Sequence, residues 1–182
     1  MGSPQALNDR DRRLVAGWAA DCAERVLGLF EAEAPADDRP RDAIARARAY
    51  SRGELSAAEE IRRRFVAGRA ASAVGAPAAI AAARSAAQAS GVAHVGAHAL
   101  GAAAYAAEAA GLAAEGDEGD AATEREIRWQ VARMTPEVRS ALALLPLLGQ
   151  DSSGPLASGG LLDRGLRGAV IRALQAVVHD EA

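Results

Sequence analysis

The sequence predicts an all-α protein, a compact bundle of about six to eight helices with no sheet. Three observations predict it. Alanine, the strongest intrinsic helix former because its side chain loses no rotamer freedom, supplies roughly a quarter of the chain. Apolar residues recur at spacings of three and four along most segments, with capping residues and prolines at the segment boundaries. No segment shows the period-two alternation between hairpin turns that a strand would need. The chain has 182 residues, half of them apolar, which suits one domain with a substantial core. Its aromatic content is 3%, so Trp18, Phe30, Tyr50, Phe65, Tyr105 and Trp129 are expected to fill a large share of core volume.

A first helix is expected from Asn8 to Glu33. Asn8 or Asp9 caps it, Pro35 follows its end, and Leu14, Val15, Trp18, Cys22, Val26, Leu29 and Phe30 form one apolar stripe. Pro40 opens a second helix that ends before Gly53. Ser56 and Glu59 make a capping box for a third, running to Val74. In it, the run Arg62-Arg63-Arg64 faces solvent for the most part, since three consecutive helical positions cannot share one buried face. A fourth spans Pro77 to Gln88 or Ala89 and joins, with a kink near Ser90-Gly91, a histidine-bearing helix ending near Ala114. After an acidic glycine-rich loop, helices follow over 121–134 and 136–148, with Thr135 as cap and Pro136 at a first position. The expected organisation is therefore a disordered start over residues 1–7, a helical domain over 8–149, a Ser/Gly linker over 150–160 and a C-terminal amphipathic helix over 161–182. That last helix could dock on the bundle, bind a partner or pair with its copy in a homodimer.

All 21 basic residues are arginine, and with the alanine and glycine load this reflects GC-rich coding, so the arginines are discounted as evidence for binding. The net charge is −3 and basic residues alternate with acidic ones, which argues against a nucleic-acid partner. No signal-peptide pattern is visible, and the longest charge-poor run, 86–107, is too rich in alanine to prefer lipid. The chain reads as cytoplasmic, with no membrane partner. Cys22 is the only cysteine and sits on an apolar stripe, as a small core residue does.

His94 and His98 are the most informative residues. Four apart in a segment of small apolar residues, they are expected to stack on one helical face, with Gly101, Tyr105 and Glu108 continuing the stripe. A metal is not expected: Val95 stands where a zinc-protease helix carries its general base, and no third ligand is evident. Nor does any glycine-rich phosphate loop or nucleophile elbow occur, so no cofactor is expected. The pair can serve as a buried hydrogen-bond network, a binding surface, or, if any reaction is catalysed, its acid–base groups.

Four segments in order carry a family resemblance: 18–31 around Trp18-Ala19-Ala20-Asp21-Cys22-Ala23-Glu24-Arg25, 39–54 around Ala49-Tyr50-Ser51-Arg52-Gly53, 83–106 from Arg84 through Gln88, His94 and His98 to Tyr105, and Glu124-Arg125 with Trp129-Gln130. They resemble the Imm-5-like family of bacterial, chiefly actinobacterial, immunity proteins over about residues 8–149. The resemblance implies an all-α, non-enzymatic protein of a polymorphic toxin system that neutralises a cognate toxin by binding it. Carried over residue by residue, the family's polar positions are Trp18, Glu24, Arg84, Gln88, His94, His98 and Tyr105, which are taken as the candidate binding residues. An acidic surface patch would point to a basic nuclease as the toxin, and a mixed surface would weaken that idea. The alternative is a small-molecule binding protein, or an enzyme of natural-product biosynthesis or self-resistance, that uses a histidine-lined helical pocket.

Overall fold

A computed structural model describes residues 3–63 and 66–180. The expected behaviour of Arg62-Arg63-Arg64 and of Phe65 concerns side chains outside those described, as do Met1, Gly2, Glu181 and Ala182. Among the described residues the protein is all-α. Among these residues the α-helical segments are α1 Asp9–Glu33, α2 Arg39–Ser51, α3 Ala57–Arg63, α4 Val66–Ala70, α5 Pro77–Gly91, α6 His98–Ala113, α7 Gly119–Ala132, α8 Pro136–Ala143 and α9 Gly165–Asp180. None is long and apolar enough to cross a membrane.

Helix α6 is the axis of the bundle. Ala99 through Ala107 are all buried, as expected of a helix that is apolar on every side. Around it lie α1, α5, α7 and α9. Small side chains allow these helices to approach until side-chain hydroxyls reach neighbouring backbones. Ser85 of α5 donates to the Ala102 carbonyl at 2.7 Å, and Gln130 of α7 donates to the Ala103 carbonyl at 3.0 Å. Trp18 of α1 donates to the Gln130 carbonyl at 3.0 Å, which links a third helix to the same joint.

The caps act where the sequence places them. Asn8 accepts from the Asp11 N–H at 2.9 Å, and Thr135 accepts from the Val138 N–H at 3.3 Å. Ser56 and Glu59 close the capping box, with the Ser56 N–H donating to Glu59 at 2.8 Å. Of the helix expected from Ser56 to Val74, the described residues are α-helical over Ala57–Arg63 and Val66–Ala70, and a 3-10 turn over Ala71–Ala73 ends it. The helix expected to reach Leu148 stops at Ala143, shortly before Pro146, which cannot donate to a continuing helix.

The largest departure lies at the histidines. They do not share a helix: α5 ends at Gly91, residues 92–97 form turns, and His98 is the first residue of α6. The N-terminal segment causes the break. The N–H groups of Gly96 and Ala97 donate to the carbonyls of Ala6 (3.2 Å) and Gln5 (3.1 Å) rather than to a preceding helical turn. Leu7 packs where a side chain on Gly96 would stand: a Cβ there would lie 2.6 Å from Leu7 Cδ1. Leu7 itself holds φ +57°, a costly conformation for a branched side chain.

Within the start expected to be disordered, Gln5 is buried and Ala6 and Leu7 are half-buried, and within the Ser/Gly segment Leu156 is buried. Gln5 is buried and joins the two: its amide donates to Asp151 (2.6 Å) and the Ser153 carbonyl (2.8 Å), while its oxygen accepts from the Leu156 N–H (3.0 Å). Leu156 is fully buried in turn. The last helix starts at Gly165 rather than Leu161 and buries Val170, Ile171, Leu174 and Val178 within its own chain, not against a second copy. Gln175 fastens it, accepting from the Leu148 N–H at 3.0 Å and donating to the Pro146 carbonyl at 2.9 Å.

Candidate functional site

The predicted binding residues fall in three places. Gln88, His94 and His98 meet in one groove. Gln88 on α5 and His98 at the start of α6 are joined by a 2.7 Å contact between His98 Nδ1 and Gln88 Oε1, so Nδ1–H donates and Nε2 keeps the lone pair. Two glycines make room for this pair. A Cβ on Gly91 would stand 3.0 Å from the His98 ring, and one on Gly101 would stand within 3.0 Å of the Gln88 carboxamide. Burial, with the charge of His94 adding to it, pushes the His98 imidazole down to about 4, so the ring is neutral at physiological pH. His94 is exposed at the groove edge. The opposite wall comes from the C-terminal segment as Pro155, Leu161 and Leu162, enclosing about 440 Å³.

Arg84 and Tyr105 lie farther along the same α5–α6 seam. Tyr105 is buried and its hydroxyl accepts from Arg167 at 3.1 Å. The Arg167 and Arg84 guanidiniums sit 5.0 and 5.9 Å from its ring centroid. Glu108 lies 3.7 Å from Arg167. The expected stripe therefore exists from His98 through Gly101, Tyr105 and Glu108, with His94 outside it.

Trp18 and Glu24 are elsewhere. Trp18 is 3% exposed and belongs to the core joint with α7. Glu24 is exposed and accepts from Arg48 at 2.8 Å; that hydrogen bond holds its carboxyl below the ordinary value. Arg48 also reaches Asp21 at 2.7 Å. This face carries a second groove, about 180 Å³, with Trp129 on its lining. Arg25 and Arg133 lie 4.4 and 5.6 Å from the Trp129 ring. Arg25 is held by the buried Glu126 at 3.2 Å.

Sequence reasoning treated Trp129 as a core anchor and gave Arg167, Pro155 and Gln5 no role. The i, i+4 placement of Arg125 and Trp129 with Arg133 could have flagged a half-buried aromatic–arginine face. Nothing local marks Arg167 or Gln5, because their partners are remote in sequence. Cys22 is fully buried, and burial raises its thiol well above the ordinary value, as suits an inert core residue. Among the described residues no three of His, Cys, Asp and Glu cluster closely enough to hold a metal ion.

The family model described as Imm-5 like putative immunity protein matches residues 5–137, more than half of the chain. The chain belongs to that family. Comparison with curated proteins and with solved structures gave no match. The Imm-5-like region carries Trp129 with its arginines, and it carries Gln88, His94 and His98. Pro155, Leu161, Leu162 and Arg167, which cover the histidine groove and Tyr105, lie beyond it.

Proposed function

We propose that this protein neutralises a cognate toxin by binding it, and that the face built on Trp129 makes the central contact. Family membership supports the immunity role, and the half-buried setting of Trp129 on the lining of a surface groove, against Arg25 and Arg133, carries the choice of face. Tryptophan and arginine are among the side chains that most often dominate the energy of a protein interface, tryptophan through its large rigid area and arginine through its planar fork of donors. Asp21 and Glu24 on this face already pair with Arg48, so its charge is mixed, and a basic nuclease is not singled out as partner.

The test is co-expression with the cognate toxin, read as growth, and titration of the purified pair by calorimetry. Growth should be restored, and Trp129→Ala should weaken the complex by about 30-fold or more. A toxin that kills despite an excess of this protein overturns the function. Neutralisation with unchanged affinity of the Trp129→Ala variant overturns only the face.

A further inference from the structure

We propose that the groove between the α5–α6 corner and the C-terminal segment is a small-molecule site, taking an uncharged ligand with an apolar body and one hydroxyl or amide N–H. That donor would be accepted by Nε2 of His98. Four observations on different parts of the molecule converge on this.

The imidazole is oriented. Its Nδ1 is committed to Gln88, and Gly91 and Gly101 leave no slack around the two side chains. No hydrogen bond among the described residues reaches Nε2, and that atom is not among the sealed, unsatisfied ones. A neutral ring whose other nitrogen is occupied offers one acceptor and no donor. Held near 4 by burial, it offers no cation to a carboxylate at neutral pH. The facing wall is apolar, formed by Pro155, Leu161 and Leu162, and Leu161 is 66% exposed there. The volume, about 440 Å³, falls in the range of small-ligand sites. Finally, that wall is braced from beneath by Gln5 through Asp151 and Leu156, so the groove has a fixed shape on both sides.

Gln88 and His98 lie within residues 5–137 and the facing wall lies beyond them, so the C-terminal segment completes this groove, on residues other than those that line the Trp129 groove.

Nitrogen-15 NMR of the full chain, labelled at histidine, tests the proposal with three matched probes. These are 1-naphthol, its methyl ether 1-methoxynaphthalene, and 1-naphthoate. Before any addition, His98 should show the tautomer protonated at Nδ1; protonation at Nε2 instead overturns the proposal. On titration at pH 7, 1-naphthol should move the Nε2 resonance and bind about tenfold or more tighter than either other probe. Equal affinities for the three, no binding at millimolar concentration, or shifts confined to His179, which lies in a separate groove between Leu147, Leu148 and α9, each overturn it. His98→Phe should erase the preference for 1-naphthol. Leu161→Arg, on an exposed side chain that the fold does not need, should block binding while the spectrum stays folded; unchanged binding in that variant also overturns the site.

Discussion

At the scale of single residues, two helical glycines set opposite expectations for one substitution. A Cβ on Gly28 in α1 would meet nothing within 4 Å. Gly28→Ala should therefore stabilise the protein by about 0.5–1 kcal/mol, since alanine restricts the unfolded chain at no steric cost. A Cβ on Gly101 would lie 2.9 Å from Gln88 Cδ and 3.0 Å from Leu162 Cδ1. Gly101→Ala must push Gln88 off His98, and should cost about 1–3 kcal/mol by urea denaturation at unchanged m-value. His98 adds a pH dependence. Its folded value of about 4 lies below the ordinary 6.5, so between them the unfolded chain takes up a proton that the folded chain refuses. The stability it contributes is complete above pH 6.5 and is lost as the pH falls toward 4, by at most about 1.4 kcal/mol per pH unit. His98→Phe should flatten that part of the stability profile; an unchanged slope would assign it to the carboxylates. That His98 belongs to a site was legible from its rarity in an alanine wall. That its partner is Gln88 rather than His94 was not, because the partner sits across a helix–helix seam.

At the scale of elements, local signals were read well and long-range ones were not. Asn8, the Ser56–Glu59 box, Thr135 with Pro136, and the stripe of α1 all act within one turn of their own position, so the sequence displays them. The break between α5 and α6 depends on the carbonyls of Gln5 and Ala6, which are remote in sequence from the Ala97 and Gly96 N–H groups they accept from, and periodicity carries no trace of them. The same holds for the segment 150–160. Its serines and glycines read as a linker, yet Gly154 brings its backbone against the Gln5 carboxamide, where a Cβ would stand 2.8 Å from Oε1. Gln5→Ala tests whether this clamp fixes the segment. It leaves the buried Leu156 N–H without its acceptor, a loss of about 1–3 kcal/mol. Limited proteolysis should then cut between Asp151 and Ser158 at conditions where the unaltered protein resists; equal resistance would mean that Leu156 burial alone holds the segment down.

At the scale of the whole molecule, the question is whether the part that matches the family is a complete globule here. Helix α9 lies beyond residues 5–137 and packs on α6, the axis of the bundle. It covers Tyr105 through Arg167 and buries Val170, Ile171, Leu174 and Val178, side chains worth roughly 1.5–3 kcal/mol each when removed from water. A domain of this size has a net stability of about 5–15 kcal/mol, so losing that cover removes a comparable amount. It also uncovers an alanine-rich face of α6 and, after α8, Leu148, whose N–H Gln175 of α9 holds. Ending the chain after Gly149 should therefore give a protein that unfolds at markedly lower temperature, or that associates through the uncovered face to hide it again. Circular dichroism melting together with light scattering on a sizing column separates these outcomes from the third. A monomer with an unchanged melting temperature would mean that the preceding helices close their own core, and that α9 serves only the groove it walls.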